Sequence, residues 1–584
     1  MGTISDKLMR IINTKEDIRQ ALISKGYDVP TSIPFKEYAK MILDLPCKVD
    51  SFPDIEGIVA RYSASGLTNE QMAANPVWVD KTGNGHDIQL KNFSWKGMSG
   101  VGGYEMNFNL WRNNVSSIPD ISMSTTTTSV SVSVGNSTYN NNLIYIHISN
   151  WDINKNHWLK VTSTYEDGDL AFIFYNDSNT KKIGLPANGY VNILAYPEFK
   201  GSYMYISTIS NKQGSFTIEQ LPLYPGALVF DGVDDYGVCE NFPILTKEKG
   251  YTVVVLRQWD QDFLNTTLTG GLLSTRNYST GEGVAFEKIE SSNKGYWNLG
   301  AGGIIDFAKS PFTWQTSKQY NNVGILEGDK NHGKPLCVGC GLSGGQQCGR
   351  FAIWELVFLD HDATEEELTK IKDYFVKTYP WLFPDKAWTV TGKTNEDEDR
   401  ATIANITGNG NDLVLSNFGF AEGSGYNEEG EYAGYLVTDG VDDKIISSIF
   451  KMGNDWTVIG DWELINTGKN DNAGIVKFDS IVIYNYNYNY NSMLINIKNG
   501  RNILIPDQNT VNAICSDGRI YSKDWKESIY NEETESTSKN FLTIGYSGNA
   551  YTKIAFKNLA IYPTVLSRED CIKAYNYLQT LKAK

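Results

Sequence analysis

The string Phe230-Asp231-Gly232-Val233-Asp234-Asp235-Tyr236 returns almost unchanged as Thr438-Asp439-Gly440-Val441-Asp442-Asp443-Lys444. Each copy follows an apolar pair, Leu228-Val229 or Leu436-Val437, and runs into another short apolar stretch. The pattern predicts strand, tight Asp-Gly turn, strand. Glycine takes positive φ there at little cost, and aspartate accepts hydrogen bonds from the backbone two residues on. A second echo pairs Thr82-Gly83-Asn84-Gly85-His86-Asp87 with Thr407-Gly408-Asn409-Gly410-Asn411-Asp412. A third pairs Leu336-Cys337-Val338-Gly339 and Arg350-Phe351-Ala352 with Leu542-Thr543-Ile544-Gly545 and Lys553-Ile554-Ala555. Each copy then ends in a helix signal, a small capping residue followed by acids: Thr364-Glu365-Glu366-Glu367 and Ser567-Arg568-Glu569-Asp570. Three motifs in the same order make the chain a tandem of two related bodies.

The copies lie 325 residues apart at the Gly-Asn-Gly motif but 208 apart at the Asp-Gly-Val-Asp-Asp motif, so the first holds 117 extra residues, placed near 106–222. Within that insertion Ser129-Val130-Ser131-Val132-Ser133-Val134 alternates with period two, which is a strand and not a disordered tract. Trp158-Leu159-Lys160-Val161, Ala171-Phe172-Ile173-Phe174 and Tyr190-Val191-Asn192-Ile193 read as further strands. The expected organisation is residues 54–105 with 223–380 as one sandwich, 106–222 as a β-module grafted into its loop, and 385–584 as the second sandwich. Between the sandwiches, Thr378 to Asp385 carries two prolines and three aromatics, a stiff joint more than a tether.

A chain of 584 residues exceeds one core. Its few helical stretches, abundant glycine and 34 tyrosines fit an all-β body. Lysine and arginine total 52 against 68 acids, a net charge of −16 that excludes a nucleic-acid groove. No apolar run reaches the ~20 residues of a membrane span. The N-terminus lacks a signal-peptide core, and Asp6 stands where myristoylation needs Ser or Thr. A protein kept in a cytoplasm is expected, with seven scattered cysteines in the reduced state.

Residues 5–25 have the spacing of an amphipathic helix, with Leu8, Ile11, Ile12, Ile18 and Leu22 on one face, Ser5 as N-cap and Gly26 as the stop. A second helix from Pro34 carries Phe35, Tyr38, Ala39, Ile42 and Leu43, and Pro46 ends it. This hairpin, residues 1–48, is too small to bury its own apolar stripes. They need the body of the chain, further copies or a docking protein as cover.

Few residue patterns in the chain point to reactive chemistry. Gly341-Leu342-Ser343-Gly344-Gly345 matches a nucleophile elbow, and Gly339, Gly341 and Gly344 match a dinucleotide fingerprint, but both require a helix next. The repeat instead puts a strand there. Cys337, Cys340 and Cys348 with His332 suggest zinc only if a tight knuckle turn holds them. Glu396-Asp397-Glu398-Asp399 is the best carboxylate cluster for glycoside hydrolysis, yet it falls in a loop without strand pattern and reads as solvated. The five histidines share no catalytic spacing. No enzyme is expected. Tyr484, Tyr486, Tyr488 and Tyr490 alternate with asparagines, which on a strand places the four rings on one face. They suit stacking on sugar rings, the inner face of a sheet, or a subunit contact.

The T-G-N-G-x-D turn, the L-x-F-D-G-V-D-D-Y element and the late basic-x-A strand before a terminal helix resemble concanavalin A-like (laminin-G-like, LamG) jelly-roll domains. The version is similar to that on virion proteins of tailed phages of gut Bacteroidales, crAss-like phages among them. The likeness covers most of residues 54–105 and 223–584, and the second copy departs from it at Thr438 and Lys444. Ile4 to Gly26 and Pro34 to Ile42 resemble N-terminal segments of structural proteins of such phages. The resemblance implies a mainly β protein: two concanavalin A-like jelly-roll sandwiches, the first carrying an inserted β-sandwich module, plus an N-terminal α-helical hairpin. It implies a virion protein of head-fibre, tail-fibre or decoration type, made in the bacterial host cytoplasm. Residues 1–48 would attach it to other virion proteins or to its own copies, a trimer being favoured. Host-surface carbohydrate would be the ligand, with no nucleic-acid or membrane partner; the alternative is a purely structural decoration protein without ligand, and a capsule-degrading enzyme comes last. Some LamG-like domains bind calcium through loop oxygens, which Asp231, Asp234 and Asp235 or their echoes could supply, although the turn explains these residues without an ion.

Deleting residues 1–48 is expected to leave folded sandwiches that no longer associate. Light scattering that returns the full-length oligomer mass for the truncated chain would contradict an oligomerising foot.

Overall fold

The computed structural model describes residues 52–583 apart from 106, 114–120, 136–141, 148–156, 176–179, 194–202, 209–211, 244, 246–248, 265, 276–284, 289–293, 298–303, 307–310, 320–335, 343–345, 431, 466–473, 479–480, 487–491, 498–500, 506–510, 523–524, 526, 530–541, 545 and 548–549. The predicted hairpin of residues 1–48 therefore lies outside the described residues, with Leu8, Ile11, Ile12, Ile18, Leu22, Phe35, Tyr38 and Ile42.

Among the described residues, alternating apolar side chains become strands whose inward faces meet in three large cores, and nearly every strand pair is antiparallel. In the first large body a six-stranded sheet centres on Arg350–Leu359, flanked by Thr252–Trp259, Leu228–Asp231 and Ile58–Ser63. It faces a ten-stranded sheet that includes Ile88–Lys91, Tyr236–Cys239, Leu336–Val338 and Gly270–Ser274. Phe230, Val253, Val255, Phe351 and Ile353 fill the space between. The second large body repeats the plan with two eight-stranded sheets and a core that includes Trp388, Val458, Trp462, Phe556 and Leu559. Even the register repeats, since Leu228 pairs with Ile353 and Leu436 with Phe556. The helices Glu365–Thr378 and Arg568–Gln579 start where their caps predict: Thr364 and Glu367 form a full capping box, and the Ser567 side chain accepts from the Asp570 amide.

The duplicated Asp-Gly string is not a hairpin. Leu228–Asp231 belongs to the six-stranded sheet, whereas Tyr236–Cys239 belongs to the ten-stranded sheet opposite, and the second copy switches sheets in the same way. Gly232 and Gly440 turn the chain at φ +77 and +74. A Cβ on Gly232 would meet Arg350 Cβ at 2.8 Å, and one on Gly440 would meet the Lys553 amide nitrogen at 3.0 Å. Glycine is thus required twice over, by conformation and by space.

Residues between Asn107 and Gln220 form two five-stranded sheets around their own core of Phe172, Phe174, Ile206, Leu159, Val161 and Phe216. The Ser/Val strand alternates as its sequence dictates: Val130, Val132 and Val134 enter that core, while the Ser131 hydroxyl meets Thr217 at 2.9 Å. The graft point is economical. The chain leaves after Gly100–Val101 and returns at Leu228, which are paired neighbours in one sheet. In the second body the matching strands, Gly425–Tyr426 and Leu436–Val437, pair with no insertion between them.

One sheet of the module, with strands Asn188–Ile193 and His157–Ser163, turns a ring towards the second large body. Trp158 packs edge-on against Tyr575 at 5.1 Å and Trp525 at 6.3 Å, and Arg568 lies 5.6 Å above the Tyr190 ring. The joint between the large bodies is packed as well: Tyr379, Trp381 and Leu382 are buried, and Lys573 sits 4.4 Å above the Trp381 ring. Among the described residues no helix is long and apolar enough to cross a membrane.

Two of the described cysteines depart from the expected reduced state, while Cys239, Cys348, Cys515 and Cys571 are free thiols. Cys337 and Cys340 form a disulfide across Gly339, whose φ of +91 folds the two short strands so that both sulfurs reach one side. Cys348 is paired in register with Cys340 and lies buried beside them.

A buried ion pair bridges two neighbouring strands of the six-stranded sheet, and Tyr379, the residue that ends the helix, reaches the same carboxylate. Arg61 Nη2 reaches Glu355 Oε2 at 3.2 Å, and Ser63 and the Tyr379 hydroxyl each donate to Glu355 Oε1 at 2.7 Å. Burial pushes the Glu355 carboxyl up while Arg61 pulls it down. Replacing Arg61 by Met strands a buried carboxylate and is expected to cost ~3–5 kcal/mol. In urea unfolding the double variant Arg61→Met with Glu355→Gln should recover most of that loss. A single-variant cost under ~1 kcal/mol would show that the pair adds little to the fold.

Candidate functional site

The two corners are self-contained hydrogen-bond clamps. Asp231 Oδ1 accepts the amides of Val233 at 2.7 Å and Asp234 at 3.4 Å, and Asp235 Oδ2 accepts the Asp231 amide at 3.0 Å. The Ser99 hydroxyl donates to Asp235 Oδ1 at 2.9 Å. In the second copy Asp439 accepts from Val441 and Asp442, Asp443 accepts the Asp439 amide at 2.7 Å, and Ser424 donates to Asp443 at 3.1 Å. Asn92 and Asn417, both at positive φ, cap the clamps by donating to the carbonyls of Asp234 and Asp442, each at 3.0 Å. The serines were missed by sequence reasoning, although Ser99-Gly100 and Ser424-Gly425 repeat at the same offset as the Gly-Asn-Gly motif.

The side-chain oxygens of each trio, Asp231, Asp234, Asp235 and Asp439, Asp442, Asp443, come within 4.8 Å of one another. Calcium takes about six to eight oxygen ligands. Three carboxylates, of which Asp235 has both oxygens already accepting donors, do not complete such a shell. Asp235 and Asp443 are fully buried, and burial first, then the neighbouring aspartates, pushes their carboxyls up to about 7 and about 6. These residues work as turn-formers.

The other candidates disperse. Cys340–Leu342 and Gln346–Cys348 pair as antiparallel strands, and the strand Arg350–Leu359 follows, so no helix stands behind the nucleophile-like motif. The disulfide occupies two of the sulfurs a zinc site would need. In the acidic loop Lys393 holds Asp399 at 2.7 Å and Asp397 accepts the Thr394 amide, so these two carboxylates are engaged in the loop's own contacts. A cleft of ≈ 370 Å³ opens between the large bodies beside Phe383, Thr407 and Asn409. Thr407 and Asn409 both spend their donors on the Asp385 carbonyl. Tyr484 and Tyr486 lie in the strand Ile481–Tyr486, which pairs with Ser492–Ile497. Tyr488 and Tyr490 lie outside the described residues.

A different tyrosine cluster stands on the module. Its second sheet runs Thr180–Gly184, Leu170–Tyr175, Tyr203–Thr208, Asn142–His147, Arg112–Asn113. Phe172, Phe174, Met204 and Ile206 point into the core, which sends Ile173, Tyr203 and Tyr205 outward. Tyr145 joins them, at 5.5 Å from Tyr203 and 5.9 Å from Tyr205 between ring centroids. Tyr203 is 42% exposed, and Tyr145 and Tyr205 are partly so. Towards the other end of the face Ala171 and Ser207 are small and buried. Three clustered rings at least partly open to water make this face a candidate interaction surface. Sequence reasoning missed it because the cluster arises from cross-strand register; the available signal was the alternation Tyr203-Met204-Tyr205-Ile206.

No family model matches the chain, and no curated protein does. Among solved structures it is similar to a Trypanosoma rangeli sialidase in complex with sialic acid, at 9% identity over 80% of this chain and 85% of that chain, with a TM-score of 0.24. It is also similar to the receptor binding domain of botulinum neurotoxin D, at 12% identity over 59% of this chain and 90% of that chain, with a TM-score of 0.21. Scores this low place the chain in neither fold.

The corner carboxyls set a pH dependence. An aspartate in an unfolded chain titrates near ~3.9, while folded Asp235 and Asp443 sit at about 7 and about 6. Between those values the folded state binds more protons, so their contribution makes stability fall as pH rises from ~4 to ~7. Urea unfolding at pH 5.5 and pH 8 should show a loss on the alkaline side that shrinks in the Asp235→Asn/Asp443→Asn variant. A loss of the same size in both proteins would remove the corners as its source.

Proposed function

We propose that this chain is a non-enzymatic structural protein of a phage particle whose projecting β-sandwiches bind carbohydrate on the host surface. In this reading the two large bodies are concanavalin A-like jelly rolls, residues 1–48 fasten the chain to other virion proteins or into a trimer, and no cofactor takes part. The motif likeness set out above supports the family and the particle. The single observation that carries the binding activity is the partly exposed Tyr145, Tyr203 and Tyr205 cluster.

The physical case for sugar is direct. Tyrosine offers a rigid apolar plane and a hydroxyl at its edge, which matches the apolar C–H face and polar rim of a pyranose ring. The sheet holds the rings in fixed register, so little conformational entropy is lost on binding. One such face binds weakly, and repetition on an oligomer or a particle multiplies it.

On a glycan array the full-length oligomer should bind a subset of glycans, and Tyr203→Ala/Tyr205→Ala should weaken that binding by about tenfold to a hundredfold, as for aromatic anchors elsewhere. A flat array from the wild-type oligomer would favour the purely structural decoration role instead.

A further inference from the structure

The tyrosine face has charged ends. Direct pairing runs Lys182 to Ile173, Ile173 to Tyr205, Tyr205 to Tyr145 and Tyr145 to Arg112, one residue from each of the five strands. Residues paired in this way project from the same side of a sheet, so the row reads cation, apolar, ring, ring, cation across its full width. Lys182 and Arg112 are both exposed. Four strand spacings separate them, about 19 Å, the reach of a short oligosaccharide.

Arg112 is held in place: its Nη1 donates to the carbonyls of Asn109 at 2.8 Å and Trp111 at 3.0 Å, which fixes the guanidinium at the sheet edge. No acidic residue occupies an outward position among the described residues of this sheet. In a chain of net charge −16 a face with two cations and no acid among the described residues of its strands is an electrostatic exception. The opposite sheet of the module is committed through Trp158 to the second large body. On the tyrosine sheet the end that carries Tyr203, Arg112 and Lys182 is open to solvent.

From this row we infer that the module's outer sheet binds carboxylate-bearing glycans, polymers of uronate or sialate type, with Tyr145, Tyr203 and Tyr205 stacking on the sugar rings and Arg112 and Lys182 receiving carboxylates at either end. The inference rests on the carbohydrate-binding reading above and narrows its ligand class. Planar guanidinium and carboxylate match as a two-pronged pair, whereas lysine acts as a point charge. Both pairs are exposed, so their effect is screened by salt.

The test uses the labelled full-length protein on an array of immobilised uronate-, sialate- and neutral-sugar oligosaccharides, repeated with carboxyl-methylated copies of the acidic ones. Signal confined to the acidic glycans is expected, falling about tenfold on methylation and in Arg112→Gln/Lys182→Gln. It should also weaken at ~1 M salt. Both substitutions are exposed, and circular dichroism checks that the variant folds. Equal binding of acidic, methylated and neutral glycans overturns the inference while leaving carbohydrate binding intact. Loss of binding in Tyr203→Ala/Tyr205→Ala with no change in Arg112→Gln/Lys182→Gln overturns it in the same way. An empty array overturns both the inference and the reading beneath it.

Discussion

A buried carboxylate that grips the amide four residues before it is the constraint from which the rest follows. In a sandwich the chain must pass from one sheet to the other without leaving backbone groups unpaired in the core. Asp235 and Asp443 solve this at two places, each accepting the amide of the aspartate that opens the corner and a serine hydroxyl from a neighbouring loop. Glycine at positive φ lets the corner press against the strand that carries Arg350 or Lys553. With the corner fixed, Leu228–Asp231 and Leu436–Val437 are aligned on the central strands of their sheets, and the two cores close around them.

The corner also decides where a passenger fits. Gly100–Val101 pairs with the strand that enters the first corner, so the chain's exit and return points are hydrogen-bonded neighbours. A module inserted there adds a loop without prising the sheet apart. Trp158 then anchors the module sideways on Trp525 and Tyr575 of the second body. One sheet becomes an interface and the other a platform. In the proposed reading the passenger carries the binding face, and the duplicated bodies act as its frame.

What could be read from the sequence was whatever is local. The valines of Ser129–Val134, the capping threonine and serine of the two long helices and the glycine-aspartate turns all carry their reason within a few residues. What could not be read depends on partners far along the chain. A hairpin and a sheet-switching corner share one turn signature, and only the pairing of Tyr236–Cys239 with Ile88–Lys91 and Leu336–Val338 separates them. The Arg61–Glu355 pair joins residues 294 apart. The disulfide depends on the φ of Gly339, and the tyrosine platform on register between strands that the sequence does not connect. The alternating tyrosines from 484 drew attention for their period, yet periodicity alone does not say whether a face meets water.

The most direct measurement is a crystal structure of the full chain soaked with a carboxylate-bearing oligosaccharide. The account predicts sugar density across Tyr203 and Tyr205 with a carboxylate against Arg112 or Lys182. Density over the strand Ile481–Tyr486 or in the cleft beside Thr407, with the module's outer sheet bare, would contradict it.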